Sequence, residues 1–428
     1  MNILLTGATG FIGQHLLRAL LAENHQVTVC CRQPGQLLRQ FPNLKTITLD
    51  FANATDSNDW LPHLQHIDAV INAVGIIKES RRARFEQMHH LTPAALFKAC
   101  AQMQIKKVMQ ISALGAELDA ATEYFTSKAK ADAVLQALDL DWFIFKPSLV
   151  FGSGAKSMGL LTALAALPVT PIIDDGEQAV QPVAIKDLQQ AVLLALKPQT
   201  PPRQIINAVG PQPISFITLL SLLANRLGRK LSPFHVSGAW LSALSPLAVC
   251  LDEPILNKQS IAMLQRGNTA DAKSFTDYLD HSPNSLEQAL QETPASQAER
   301  WHARLYFLRP LLSIGIALVW LWTGIVSAFL YPAADSYQML SRVGITGPWA
   351  PPILYGASLA DFILGIALLL RWRVRLVTML QIGIMLAYSV VISFCLPEFW
   401  LHPFGPLIKN LPLLMAILVL LIIEEERS

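Results

Sequence analysis

Cysteine is scarce and scattered. The five residues, Cys30, Cys31, Cys100, Cys250 and Cys395, form no CxxC pair and no metal-ligand spacing. That excludes a disulfide framework and a zinc site and predicts small, buried, apolar thiols; no metal is expected. Basic runs are also missing. The chain carries 33 Lys and Arg against 31 Asp and Glu, a formal charge of +2, and without a Lys/Arg block no nucleic-acid partner is expected. The N-terminus, Met1–Gly7, lacks a basic n-region and a cleavable h-region. No signal peptide is therefore expected, and the first domain should stay on the side where it is made, the cytosol. Charged residues make up only 15% of the chain, whereas 52% are apolar. That is too apolar for a wholly soluble protein, so part of the chain belongs in lipid.

What is present divides into two regimes near Trp301. Before it, short apolar runs alternate with amphipathic segments. Asn2–Leu5, Val27–Cys30, Ala69–Asn72, Lys107–Ser112 and Trp142–Lys146 read as strands; Gly13–Ala22, Pro93–Met103 and Thr126–Ala137 read as helices. Such alternation predicts an α/β fold with a doubly wound parallel sheet. A smaller substrate lobe is expected from 149–183 and 205–296, with helices near Ile185–Leu196 and Phe216–Leu227 and a linker at Glu292–Gln297. The first domain is thus 1–296.

Residues 301–428 change character. Stretches 310–331, 351–370, 376–396 and 406–423 are apolar and of spanning length, which predicts an all-α bundle of four transmembrane helices. Arg300, Arg304 and Arg309 precede the first span, and Arg371, Arg373 and Arg375 lie between the second and third. The positive-inside rule then puts both termini and the first domain in the cytoplasm, at a bacterial inner membrane. One carboxylate, Asp361, falls inside the second span. It reads either as a proton acceptor or part of a quinone-head pocket, with Lys409 and Asn410 as partners, or as a packing residue.

Thr6-Gly7-Ala8-Thr9-Gly10-Phe11-Ile12-Gly13 follows the first strand and opens the first helix. Gly7 permits a tight turn, Gly10 lets the backbone approach a pyrophosphate, and Gly13 allows close helix packing; Thr9, Phe11 and Ile12 complete the loop. The second strand ends at Arg32, with no acidic residue for a free ribose 2′-hydroxyl. A guanidinium there grips a 2′-phosphate, which favours NADP(H) over NAD(H). Asp50 and Phe51 are expected to flank the adenine. Asn72, Ala73, Val74 and Gly75 are expected to line the ribose and pyrophosphate.

Tyr124 and Lys128 stand four apart at the start of a helix, hence on one face. Lys128 can lower the phenol's pKa and hold the ribose, Tyr124 can pass a proton to or from a carbonyl or alcohol, and Ser112 can hydrogen-bond the same oxygen.

These motifs, with Lys146-Pro147-Ser148 and Gln181-Pro182-Val183, resemble the short-chain dehydrogenase/reductase superfamily, closest to its atypical extended branch. That branch includes the nucleotide-binding accessory subunit of respiratory complex I. The resemblance covers roughly Met1 to Leu290. It implies Pro147 and Ser148 beside the nicotinamide, packing roles for Gln181 and Asp187, and an Asn where this chain has His89, which alters the proton relay to water. The four spans, His402-Pro403 and Lys409-Asn410-Leu411-Pro412 resemble DoxX-like membrane domains. Two readings stay open ahead of a third, electron transfer from NADPH to quinone across the two domains. One is a membrane-anchored NADP(H)-dependent oxidoreductase acting on a carbonyl or alcohol, lipophilic or small. The other is a non-catalytic NADPH-binding assembly or sensing factor for a membrane redox complex. Expected partners are the bilayer, a lipophilic substrate, and a membrane redox complex or quinone.

Overall fold

The computed structural model describes residues 1–80, 82–238 and 258–425; Cys250 and Arg427 lie outside them. The chain forms two compact units that part between Arg304 and Leu305.

Seven strands build the main sheet of the first unit: β1 (Asn2–Thr6), β2 (Gln26–Cys31), β3 (Lys45–Thr48), β4 (Ala69–Asn72), β5 (Lys107–Ile111), β6 (Asp141–Pro147) and β7 (Gln204–Ala208). They form one sheet in the order β7-β6-β5-β4-β1-β2-β3, with every neighbouring pair parallel. The strands are apolar on both faces because both are covered. Ile3 and Leu5 of β1 enter one core with Leu16, Leu17 and Leu20 of helix α1 (Phe11–Ala22). Leu4 enters the other, against Phe97 and Cys100 of helix Thr92–Gln102 and Leu135 of helix Glu123–Gln136. The chain runs outward from β1 to β3, then crosses to β4 on the other side of β1. That reversal opens a crevice at the C-terminal ends of β1 and β4, the place where such sheets hold ligands.

A smaller lobe packs Phe151, Met158, Ile172 and Val180 against helix Phe216–Arg226. Phe11 joins the lobe to the sheet, since its ring packs on both cores. The expected linker is not loose. Arg226 donates from Nε to the Thr293 carbonyl at 2.8 Å and from Nη2 to Glu299 at 3.1 Å. Ala295 and Ala303 pack with Ala166 and Leu227, which carries the first unit on to Arg304.

The second unit is helical. Segments Leu308–Leu330, Gly347–Leu369 and Val374–Cys395 are long and apolar enough to cross a membrane. The fourth apolar segment becomes helical only at Asn410 and forms the shorter helix Asn410–Glu425. Glu424 Oε1 accepts from Arg309 Nε at 3.1 Å and from Arg371 Nη2 at 3.0 Å. One end of this unit is therefore pinned by an ion cluster drawn from the start of the first span, the connection between the second and third, and the last helix. Arg342 pairs with Glu398 elsewhere in it.

Candidate functional site

The glycine loop has the shape its residues predict. Gly7 sits at φ +77, and a Cβ there would lie 2.5 Å from the Ala73 carbonyl carbon of the loop after β4. A Cβ on Gly13 would lie 2.0 Å from the Gly7 carbonyl oxygen. Both glycines are thus required by backbone contacts on two sides. Helix α1 begins after Gly10 with no side-chain cap and no acidic residue in its first turn. Its leading N–H groups remain for an anion, and the exposed Gly10 carries no Cβ beside them, so the residues fit a dinucleotide's pyrophosphate. Thr9 and Gly10 are exposed, and Phe11 and Ile12 are half-buried. Arg32 is exposed at the end of β2.

Other expected contacts are placed differently. Asn72 is fully buried and its amide is consumed as a stitch across three strands. Its Oδ1 accepts from Thr6 Oγ1 at 2.5 Å and its Nδ2 donates to Gln110 Oε1 at 2.6 Å. It shapes the ends of β1, β4 and β5 and presents no side chain to a ribose. Ala73 and Val74 are half-buried and Gly75 is exposed, so these three remain on the open edge. Phe51 is buried edge-on against Trp60, with centroids 5.8 Å apart, and offers no open face to an adenine. Asp50 accepts from Ala52 N and Asn53 Nδ2, so its carboxylate closes its own turn. Pro147 is buried, and Ser148 Oγ donates to the Gln181 carbonyl. Gln181 is itself spent on Gly210 and Ala270, and Asp187 accepts both the backbone and side-chain N–H of Asn284.

Helix Glu123–Gln136 carries the candidate proton-transfer set. Tyr124 is half-buried with its ring edge-on to Phe85, His89 and Phe125. Lys128 is only 3% exposed. Its Nζ lies 5.8 Å from the Tyr124 ring centroid and donates to the Ile111 carbonyl at 3.1 Å. A Cβ on Gly75 would be 3.5 Å from the same Nζ, so the ammonium sits between the ends of β4 and β5. Burial lowers Lys128 to about 8. Burial raises the Tyr124 phenol to about 12, so the expected lowering by Lys128 is overridden here by desolvation.

Ser112 faces inward. Its Oγ donates to Asp132 Oδ2 at 2.6 Å, so its one proton is committed and only lone pairs remain for another group. Asp132 was not anticipated, although its spacing carries the signal: 124, 128 and 132 recur at intervals of four on one helix face. Burial raises Asp132 to about 6. His89 is buried and held neutral, chiefly by desolvation. Its Nε2 accepts from Ile76 N–H at 3.0 Å, which leaves Nδ1–H to donate to Ser127 Oγ at 3.1 Å. With both nitrogens used, the ring fixes the β4 edge loop to the Tyr124 helix.

In the second unit Asp361 is 6% exposed and its Oδ1 has no hydrogen-bond partner among the described residues. Asn410 donates instead to Ser389 Oγ, and Lys409 is exposed. Helical rise explains the mismatch: counted from the Arg371–Glu424 pair, Asp361 lies about 15 Å along its helix and Asn410 about 21 Å along its own. Gln381, fully buried, likewise has both amide atoms unpartnered, as does the Trp320 Nε1.

These features define a nucleotide-binding α/β unit joined to an apolar helical unit, and comparison with known proteins agrees. Residues 7–160 match the NAD(P)H-binding family and residues 317–418 the DoxX-like family, so the chain fuses an NAD(P)-binding Rossmann domain to a DoxX-like domain. It is 23% identical over 232 residues to the mouse mitochondrial NADH dehydrogenase [ubiquinone] 1 alpha subcomplex subunit 9, covering 53% of this chain and 62% of that one. It is 25% identical over 173 residues to the ceramide reductase of Caulobacter vibrioides, 40% of this chain and 53% of the relative. The chain spans about half to two thirds of the length of such curated relatives. In fold, it resembles a nucleoside-diphosphate-sugar epimerase from Staphylococcus aureus (TM-score 0.56, 17% identity, 68% of this chain and all of that one). An NADPH-dependent quinone oxidoreductase from Escherichia coli, solved with NADPH, gives a TM-score of 0.54 at 16% identity, over 68% and 99% of the two chains.

Proposed function

We propose that this chain is a membrane-anchored, NADP(H)-dependent oxidoreductase of the short-chain dehydrogenase type that acts on the carbonyl or alcohol of a lipophilic molecule. The observation that carries this is the placement of the Tyr124–Lys128 pair on the same open edge of the sheet as the glycine loop. When bound, the nicotinamide supplies or accepts the hydride. Lys128 holds the ribose hydroxyls, and Tyr124, protonated at neutral pH, gives its phenolic proton to a carbonyl oxygen as that oxygen gains charge. Arg32 favours the 2′-phosphate of NADP(H). The apolar second unit anchors the chain in a bilayer, read as a bacterial inner membrane with the first unit in the cytoplasm, which supports a lipophilic substrate; a relative named as a ceramide reductase is in keeping with that. The test is Tyr124→Phe in the full chain against a panel of lipid ketones and alcohols. Turnover should fall by about 100-fold or more with NADPH affinity unchanged. Full activity in the variant would refute the mechanism.

One observation favours a second reading. The Ser112 hydroxyl proton is committed to Asp132 and is not offered to a substrate oxygen, as suits a protein that retains NADPH as a structural or sensing ligand of a membrane redox complex. Tight NADPH retention without turnover on any panel member would select this reading.

A further inference from the structure

On the Tyr124–Lys128 helix lies a buried carboxylate, Asp132, that the proposed chemistry does not use. Asp132 is 2% exposed, and its Oδ1 has no hydrogen-bond partner among the described residues. Its Oδ2 accepts from Ser112 Oγ at 2.6 Å, and Lys146 Nζ of β6 stands 4.0 Å from the same oxygen. Lys146 Nζ is itself held by the Ala116 carbonyl at 2.8 Å. One helical turn before Asp132, Lys128 has a single neutral acceptor, the Ile111 carbonyl, and the neutral His89 lies on its far side past Gly75. An ammonium so enclosed is costly unless an opposite charge accompanies it, and Asp132, four residues on along the same helix face and bound to Ser112 next to Ile111, is the buried carboxylate of this cluster.

We propose that Asp132 is a positioning residue of the nucleotide site: its buried carboxylate is the counter-ion that keeps Lys128 an ammonium, and it turns the Ser112 hydroxyl inward. The proposal rests on reading the Tyr124–Lys128 edge as the nucleotide site. Between about pH 6 and about 8 the two groups carry opposite charges. Asp132→Asn keeps an acceptor for Ser112 and removes only the charge. Lys128 should then lose its proton about one to three pH units lower, the usual effect of an opposite charge within a few ångströms.

Two measurements on the full chain in nanodiscs test this. The first is NADPH affinity against pH. In the wild type it should decline as pH rises through 8. In Asp132→Asn the decline should begin at least about one unit lower, leaving binding at least about threefold weaker at pH 7.5 and the two proteins alike at pH 9.5. Lys128→Met should bind weakly with no such pH dependence. The second is the thermal midpoint without nucleotide. Lys128 ionises lower in the folded chain than its ordinary 10.5, so the stability it withholds below pH 8 returns as pH rises towards that value. Removing Asp132 deepens the penalty at pH 7, where Lys128 must give up its charge, and not at pH 9.5, where it is neutral in both proteins. The gap in midpoint should therefore be wide at pH 7 and narrow at pH 9.5. A gap equal at both pH values, with superimposable affinity profiles, overturns the proposal. A pH-dependent gap in a protein that binds no NADPH at any pH sinks the nucleotide reading and upholds the counter-ion pair.

Discussion

Gly10 offers a clean separation of fold from ligand. Its φ of −82 is open to any residue, and an added Cβ would meet only the Gly7 carbonyl oxygen, at 3.3 Å. Gly10→Ala should therefore cost the fold little, about 0.5–1 kcal/mol for a poorer residue at the helix start. The same methyl stands at the start of α1, on the side where the pyrophosphate is read to lie. Losing one charge-assisted hydrogen bond there is worth about 1.5–3 kcal/mol, which weakens NADPH binding about ten- to hundredfold. Gly13→Ala is the counterpart. Its Cβ would lie 2.0 Å from one backbone oxygen and 2.6 Å from the carbonyl carbon beside it, so the loop itself must shift, at about 1–3 kcal/mol. Fluorescence titration of NADPH, paired with thermal melting of the full chain, reads both quantities. Gly10→Ala should lose affinity and keep its midpoint, whereas Gly13→Ala should lose both. Wild-type affinity in Gly10→Ala, or a midpoint as low as that of Gly13→Ala, would refute the assignment of this loop.

Two further outcomes follow from single side chains. Arg32→Ala should weaken NADPH about tenfold or more and leave NADH unchanged, because a guanidinium at the end of β2 has a phosphate to grip only in the former; equal losses for both nucleotides would remove it from cofactor choice. Asp361→Leu should hold or raise the melting midpoint of the second unit, since the buried Oδ1 has no partner to lose. A lower midpoint would reveal a ligand or proton path that depends on the carboxylate.

The sheet was legible because its signals are local and repeated. Ile3-Leu4-Leu5 is apolar without alternation, as a strand covered on both faces must be, and Gly7, Gly10 and Gly13 follow it at spacings that only a strand–turn–helix satisfies. The Tyr124–Lys128 pair was legible for the same reason, four residues on one helix. Contacts that depend on depth were not. Asn72 and Phe51 follow strands at positions where ligand-lining residues stand, yet one is spent tying Thr6 to Gln110 and the other is buried on Trp60. Sequence spacing says which edge of the sheet a residue reaches, not whether a neighbour has already taken its hydrogen bonds.

Asp132 shows the same limit from the other side. An aspartate in mid-helix reads as a solvated surface charge until β5 and β6 bring Ser112 and Lys146 against it. Its meaning is set by partners 20 and 14 residues away in the chain. The second unit repeats the pattern: Asp361 stood out as a charge in an apolar run, while Gln381, buried too and with both amide atoms lacking a partner among the described residues, was hidden as one polar residue among many. A buried polar atom without a partner costs several kcal/mol in an apolar surrounding. Such costs persist where something compensates them, and among the described residues Asp132, Asp361 and Gln381 each hold such an atom.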